Sequence, residues 1–175
     1  MLYILIIKTL EVIPYKWLFY IGKVLALLLY TLPNKHKRVS KANLKLVFPH
    51  KTSLQINSIL RDSLFHSIMN MLEAGLVWGK KDYKKNQGFI DVENFSEIKS
   101  SLSSGNGVLL FTPHIGNIEI IINFLGQHTD CTIPYTQPKN KDLDNIITNS
   151  RNKSGVKMVN IDLSGIKDIL KLILN

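Results

Sequence analysis

The chain has 175 residues, enough for one domain with a substantial hydrophobic core. Hydrophobic residues make up 45% of it, and the single cysteine, Cys131, excludes an internal disulfide, which is typical of a protein in a reducing compartment. The formal net charge of +9 indicates an anionic partner, and a lipid surface and nucleic acid are the two classes to separate.

The first 32 residues are strongly apolar but are interrupted by charged residues and by Pro14. Neither of the two apolar stretches reaches a clean span of about 20 residues. The segment either crosses a membrane once, with a kink at Pro14, or lies in the membrane interface with its aromatic side chains at headgroup level. An ordinary core helix is the remaining alternative. A cleaved signal peptide is disfavoured because the segment lacks a basic n-region.

Positive charge is concentrated within and just after this apolar segment. No acidic residue occurs between Glu11 and Asp62, whereas nine basic residues do: Lys16, Lys23, Lys35, Lys37, Arg38, Lys41, Lys45, Lys51 and Arg61. Such a block is typical of attraction to anionic headgroups, at roughly 1 kcal/mol per basic residue near the surface. No aromatic-interleaved platform or recognition helix accompanies it, so we favour a membrane over nucleic acid.

Two helical segments follow the apolar region. Residues 35–45 are typical of a basic helix, and residues 48–50 of a break. Thr52 and Gln55 then have the spacing of a capping box, and a wide apolar stripe runs from residue 56 to residue 76. Packing against a core is the simplest role of that stripe.

From Gly88 onward, strands and helices are predicted to alternate. Short apolar runs predict strands at 89–92, 108–112, 131–135 and 156–160. Helical periodicity predicts helices at 95–102, 118–126, 143–150 and 164–174. Alternation with short connections predicts the α/β class, with a mostly parallel sheet flanked by helices. No cluster has metal-ligand spacing and no phosphate-binding glycine loop occurs, so we expect neither a metal nor a cofactor.

The turn after the second of these strands is the best candidate for chemistry. His114 lies in this turn, and Glu119 lies in the first turn of the next helix, which Asn117 is placed to cap and Gly126 to close. On a continuous helix five residues span roughly 500°, so the two side chains meet only if the chain bends, as Gly116 permits. A carboxylate beside an imidazole would favour a general base near neutral pH. The alternative is an unrelated histidine and glutamate, because this spacing alone is a weak motif.

Three blocks of the sequence resemble the lipid A biosynthesis (lauroyl/myristoyl) acyltransferase family. The first is Phe-Thr-Pro-His-Ile-Gly-Asn-Ile-Glu at 111–119, which contains His-x-x-x-x-Glu, although Ile118 replaces the family's usual aromatic residue. The second, at 38–49, has an arginine, Asn-Leu and Phe-Pro. The third, at 134–155, contains Pro-Tyr and later Arg151. The three blocks together are far more specific than the His–Glu spacing.

The resemblance implies a glycerolipid-acyltransferase-like α/β domain at 88–175. It would follow an N-terminal membrane anchor or interfacial helix at 1–33 and a basic helical segment at 34–87. Members of the family normally continue with further strands, so we expect 88–175 to be only the N-terminal part of the domain, with an incomplete sheet.

The resemblance also implies an activity in lipopolysaccharide biosynthesis. A fatty acyl chain would pass from an acyl-carrier-protein thioester to a hydroxyl of a lipid A precursor, on the cytoplasmic side of the inner membrane. His114 would act as the base, Glu119 would assist it, and Arg151 would stabilise developing negative charge or hold a phosphate. The alternative is a catalytically inactive, truncated homologue acting as a membrane-bound module that binds anionic lipids or a protein.

Overall fold

Helices dominate the part of the chain that the computed structural model describes, which is residues 2–79, 92–105, 107–113 and 115–174. In chain order the described elements are α1 (Leu2–Val12), α2 (Tyr15–Thr31), α3 (Lys35–Val47), α4 (Ser53–Gly79), α5 (Phe95–Ser103), α6 (Ile118–His128), β1 (Thr132–Tyr135), α7 (Lys141–Lys153), β2 (Lys157–Asn160) and α8 (Leu163–Leu174). The predicted α/β pattern is therefore present in part, as a small parallel sheet within a mostly helical structure.

The chain divides into two compact units. One is Leu5–Leu76, and the other comprises Met1–Ile4 and Val77–Asn175. The domain boundaries predicted after residues 33 and 87 stay a prediction.

In the Leu5–Leu76 unit the apolar N-terminal segment forms two helices that break at Pro14, as the sequence predicts. Leu10, Leu18 and Leu76 form a buried cluster that joins α1, α2 and α4. None of the described helices is by itself long and apolar enough to cross a bilayer. Helices α2 and α3 meet that requirement only as a pair, bent by 80° at the break between them.

Local capping fixes where α3 and α4 begin. The Asn34 side chain accepts a hydrogen bond from the Lys37 backbone N–H at 2.8 Å. Thr52 and Gln55 form the predicted capping box, since the Thr52 N–H donates to the Gln55 side chain at 2.9 Å and the Gln55 N–H donates to the Thr52 hydroxyl at 3.3 Å.

The second unit contains the sheet. Strands β1 and β2 pair in parallel, with Thr132 opposite Lys157 and Tyr135 opposite Asn160, and α7 connects them. Helices α7 and α8 contact β2, and α6 contacts α7. This arrangement is the βαβ unit expected when strands alternate with helices.

Two predictions in this unit are wrong. Residues 107–113 form no strand, and Phe111 is 88% exposed, because an apolar run becomes a strand only where a neighbouring backbone pairs with it. Gly126 does not end α6, which continues to His128. A Cβ at Gly126 would lie 2.7 Å from the Ser154 carbonyl oxygen, so the glycine permits a close approach rather than a helix end. The predicted strand at 89–92 falls almost entirely outside the described residues.

Candidate active site

The first turn of α6 holds Glu119 in a buried position. Gly116 has φ +75°, so the backbone bends just before the helix, as the sequence predicts. Asn117 caps the helix, and its side-chain oxygen accepts a hydrogen bond from the Glu119 N–H at 3.1 Å. The turn and cap direct the Glu119 side chain into the protein, where the residue is only 6% exposed.

Arg151, in the last turn of α7, is the partner of Glu119. Its Nε donates to Glu119 Oε2 at 3.2 Å and its second terminal nitrogen to Oε1 at 2.5 Å. The arginine and glutamate side chains are 11% and 8% exposed. A bidentate pair between a planar guanidinium and a carboxylate fixes the orientation of both groups. The sequence predicted both residues but did not predict their contact.

Tyr135 and Asp144 complete this group, which we call the Glu119 cluster: Glu119, Arg151, Tyr135 and Asp144. The Arg151 guanidinium carbon lies 5.1 Å from the centre of the Tyr135 ring, within cation–π range. The Tyr135 hydroxyl donates to Asp144 Oδ1 at 2.7 Å. Tyr135 is the last residue of β1, so the cluster lies at the carboxyl end of a parallel strand, where α/β proteins place their sites.

Burial and Asp144 together change the acidity of this tyrosine. Loss of solvent, followed by the hydrogen bond to Asp144 and the negative charge of that carboxylate, raises the pKa of Tyr135 to about 12. A hydrogen bond with Thr148 and the nearby Arg151 cation act in the opposite direction and are outweighed. The phenol therefore remains protonated and continues to donate to Asp144 at any physiological pH.

A second polar network holds α6 against α7. Asn123, one turn after Glu119, donates to the Ser154 hydroxyl at 2.5 Å, and the Ser154 hydroxyl donates to the Ser150 carbonyl oxygen at 3.1 Å. The Ser150 hydroxyl donates to the Val77 carbonyl oxygen, at the end of α4, at 3.2 Å. Each of the three side chains belongs to a residue that is at most 8% exposed. The face of α6 toward α7 is therefore polar.

His114, the predicted base, lies outside the described residues, so its predicted contact with Glu119 stays a prediction. Sequence reasoning missed Tyr135 and Asp144 as members of the site. A signal for Asp144 was present, because Asp144 and Arg151 are seven residues apart and such residues share one face of a helix.

The described residues offer little support for metal or thiol chemistry. Within ranges 2–79, 92–105, 107–113 and 115–174, no three His, Cys, Asp or Glu side chains are arranged to hold a metal ion. Burial raises the pKa of the Cys131 thiol, which disfavours the reactive thiolate.

Comparison with known proteins identifies the family. The model of a family described as bacterial lipid A biosynthesis acyltransferase matches residues 1–174, nearly the whole chain. No curated protein matches the chain. Members of the matched family are acyltransferases that use a lipid A precursor as the acceptor. Since the match includes Glu119, Arg151 and the sequence around them, the chain belongs to the bacterial lipid A biosynthesis acyltransferase family.

Proposed function

We propose that this chain transfers a fatty acyl group from an acyl-carrier-protein thioester to a hydroxyl of a lipid A precursor, on the cytoplasmic side of the inner membrane. The proposal rests on one observation above all. In a chain of this family, the glutamate of His-x-x-x-x-Glu is buried and held by both oxygens against an arginine for which the family resemblance implies a role in the same chemistry.

The proposed reaction needs no covalent enzyme intermediate. His114 takes the proton of the acceptor hydroxyl, and the hydroxyl oxygen forms a bond to the thioester carbonyl carbon. The carbon–sulfur bond then breaks, and the departing sulfur receives the proton from the imidazolium. A histidine acting as base and then as acid fits neutral pH, where its ordinary pKa makes both protonation states accessible.

Glu119 is proposed to orient and stabilise the His114 cation. Its carboxylate offers about four lone-pair positions, and the two hydrogen bonds from Arg151 use two of them. The remaining lone-pair positions can accept a hydrogen bond from an imidazole N–H. Because Arg151 already fixes the plane of the carboxylate, an imidazole that bonds to it would be held in one orientation.

Arg151 is proposed to stabilise negative charge on the reacting oxygen or to hold a phosphate of the acceptor. Glu119 binds one edge of the guanidinium and the Tyr135 ring lies against it, so the group is fixed before substrate arrives. A guanidinium has five N–H donors, and only two of them donate to Glu119. Preorganised donors of this kind lower a barrier because they need not reorient during the reaction.

The acyl donor is assigned by charge and by the family resemblance. The net charge of +9 suits an acidic protein donor, because complementary charge speeds encounter. A test of the donor offers labelled acyl-carrier-protein thioester and acyl-coenzyme A separately to membranes that contain the chain. We expect transfer from the first. Equal rates from both would contradict the assignment of the donor.

The roles of the cluster are tested by initial rates of the same transfer. We expect Glu119→Gln and Arg151→Lys each to lower kcat by about 100-fold or more, because each removes a charged or bidentate contact from the site. Lys153→Gln is the matched control, since Lys153 is an exposed cation in the same last turn of α7. An Arg151→Lys protein that folds and retains the wild-type rate would refute the proposed role of the guanidinium.

A further inference from the structure

Helix α2 is apolar on two opposite sides, of which one is buried and the other is exposed. Leu18, Gly22 and Ala26 are buried along one side. The opposite side, called here the outer face of α2, is apolar and exposed. Its residues are 48–59% exposed: Trp17, Tyr20, Val24, Leu27 and Leu28. Five large apolar or aromatic side chains on one exposed helix face indicate a surface that contacts something other than water.

Helix α4 covers the buried side of α2 along its whole length. The Tyr15 hydroxyl, at the start of α2, donates to Glu73 at 2.7 Å. Phe19 and Phe65 pack edge to face with centroids 5.4 Å apart. At the other end of α2, the Arg61 guanidinium carbon lies 5.0 Å from the Tyr30 ring centre. The residue numbers fall on α4 as they rise on α2, so the two helices run antiparallel side by side.

The exposed side chains that α4 places beside this contact are polar. They include Arg61, Asp62 and His66. The outer face of α2 is therefore apolar, whereas the exposed side chains of α4 beside α2 are charged or polar. That is the pattern of an element that lies between an apolar phase and water.

Helix α3 adds positive charge next to α2. A groove of about 710 Å³ along α3 is lined by Pro33, Asn34, Ala42 and five cations: Lys35, Lys37, Arg38, Lys41 and Lys45. Helix α3 contains no acidic residue. A groove of this composition suits the phosphate groups of anionic lipid headgroups.

We propose that the Leu5–Leu76 unit binds an anionic bilayer with α2 lying in the plane of the interface. The outer face of α2 enters the acyl-chain boundary, the α3 cations contact headgroup phosphates, and α4 stays on the water side. This proposal adds an orientation to the membrane location given under the proposed function, and it rests on that location. It also decides between the two arrangements that the sequence leaves open.

The contacts of α2 argue against its crossing the bilayer. Because α4 accompanies α2 from Tyr15 to Tyr30, a transmembrane α2 would bring Arg61, Asp62 and His66 into the hydrocarbon. Charged groups there are strongly disfavoured. Lys23, near the middle of α2, would be buried as well. With α2 in the plane, Lys23 lies at the edge of the outer face and reaches the headgroups.

Tryptophan depth in vesicles tests the orientation directly. Trp17 and position 27 are ten residues apart, or about 15 Å along a helix axis. Two single-tryptophan proteins are made from the full chain, one with Trp78→Phe and one with Trp17→Phe, Leu27→Trp and Trp78→Phe. Phosphatidylglycerol-containing vesicles with lipids brominated at shallow or deep acyl positions then report the depth of each tryptophan.

We expect both tryptophans to be quenched at the same shallow depth. Depths that differ by about 15 Å would overturn the proposal in favour of a spanning helix. Failure of the folded protein to bind any vesicle would also overturn it, and would assign the outer face to a protein contact. The readout does not depend on acyl transfer, so a protein that binds in plane but transfers nothing would refute only the proposed chemistry.

A charge-matched comparison tests the role of α3. The triple variant Lys35→Gln, Arg38→Gln, Lys45→Gln should lower affinity for phosphatidylglycerol vesicles on the order of 100-fold, with little change for pure phosphatidylcholine. The control Lys139→Gln, Lys141→Gln, Lys153→Gln removes the same charge from exposed positions of the other unit and should bind nearly as wild type. Equal losses in the two triple variants would contradict a specific role for α3.

Discussion

The Glu119–Arg151 ion pair allows a prediction of stability. The Arg151→Met change keeps a long apolar stem but leaves Glu119 buried without its cation. Breaking a buried pair from one side typically costs about 3–5 kcal/mol. Both side chains retain about a tenth of their exposure, so we expect the lower end, about 3 kcal/mol, in the free energy of unfolding.

Changing Glu119 as well as Arg151 completes a double-mutant cycle. The Glu119→Gln, Arg151→Met protein no longer buries an unpaired carboxylate, so it should recover about 2 kcal/mol relative to the sum of the two single changes. Arg151→Lys should cost less than Arg151→Met, because the charge remains while the bidentate contact is lost.

Urea unfolding followed by the fluorescence of Trp78 measures these energies. Trp78 belongs to the Val77–Asn175 unit and Trp17 to the other, so a Trp17→Phe background isolates the unit that contains the site. Far-ultraviolet circular dichroism serves as the second probe. A coupling energy below about 0.5 kcal/mol, with additive single effects, would contradict a coupled, buried pair and indicate a solvated one.

Two further predictions concern the surroundings of this pair. The phenol of Tyr135 should titrate near pH 12 rather than 10. The difference in phenolate absorbance between the wild type and Tyr135→Phe measures this midpoint, and Asp144→Asn should lower it. The pKa of Tyr135 in the folded protein exceeds its value in the unfolded chain, so the stability linked to this group is complete below pH 10 and is lost as the pH rises through about 12. A midpoint near pH 10 in the wild type would contradict this prediction. Gly126→Ala should destabilise the protein by roughly 1–3 kcal/mol, since the new methyl group would meet a backbone carbonyl. Gly107→Ala is its control, because a Cβ there has nothing within 4 Å, and equal urea midpoints for the two variants would refute the packing argument.

Features governed by neighbours in sequence were predictable. The Asn117 cap, the Gly116 bend and the Thr52–Gln55 capping box each depend on residues within a few positions, and the structure has all of them. The break at Pro14 belongs to the same class, because it follows from the geometry of one residue.

Features that depend on distant partners were not predictable in the same way. Residues 108–112 are apolar enough for a buried strand, but a strand also needs a paired neighbour, and sequence hydrophobicity does not supply one. Gly126 is typical of a helix end, and only its approach to Ser154 explains why the helix continues past it. The contact between Glu119 and Arg151 joins residues 32 positions apart, so neither helical periodicity nor capping could indicate it.

We propose that this chain acylates a lipid A precursor through a site that includes His114 and the Glu119 cluster. The most direct measurement is mass spectrometry of the precursor after incubation with acyl-carrier-protein thioester and membranes. The membranes contain the wild type, His114→Ala or the control His50→Ala, which removes an exposed histidine. We expect a mass increase of one acyl group with the wild type and His50→Ala and none with His114→Ala. Acylation by folded His114→Ala at the wild-type rate, or none by the folded, membrane-bound wild type, would contradict it.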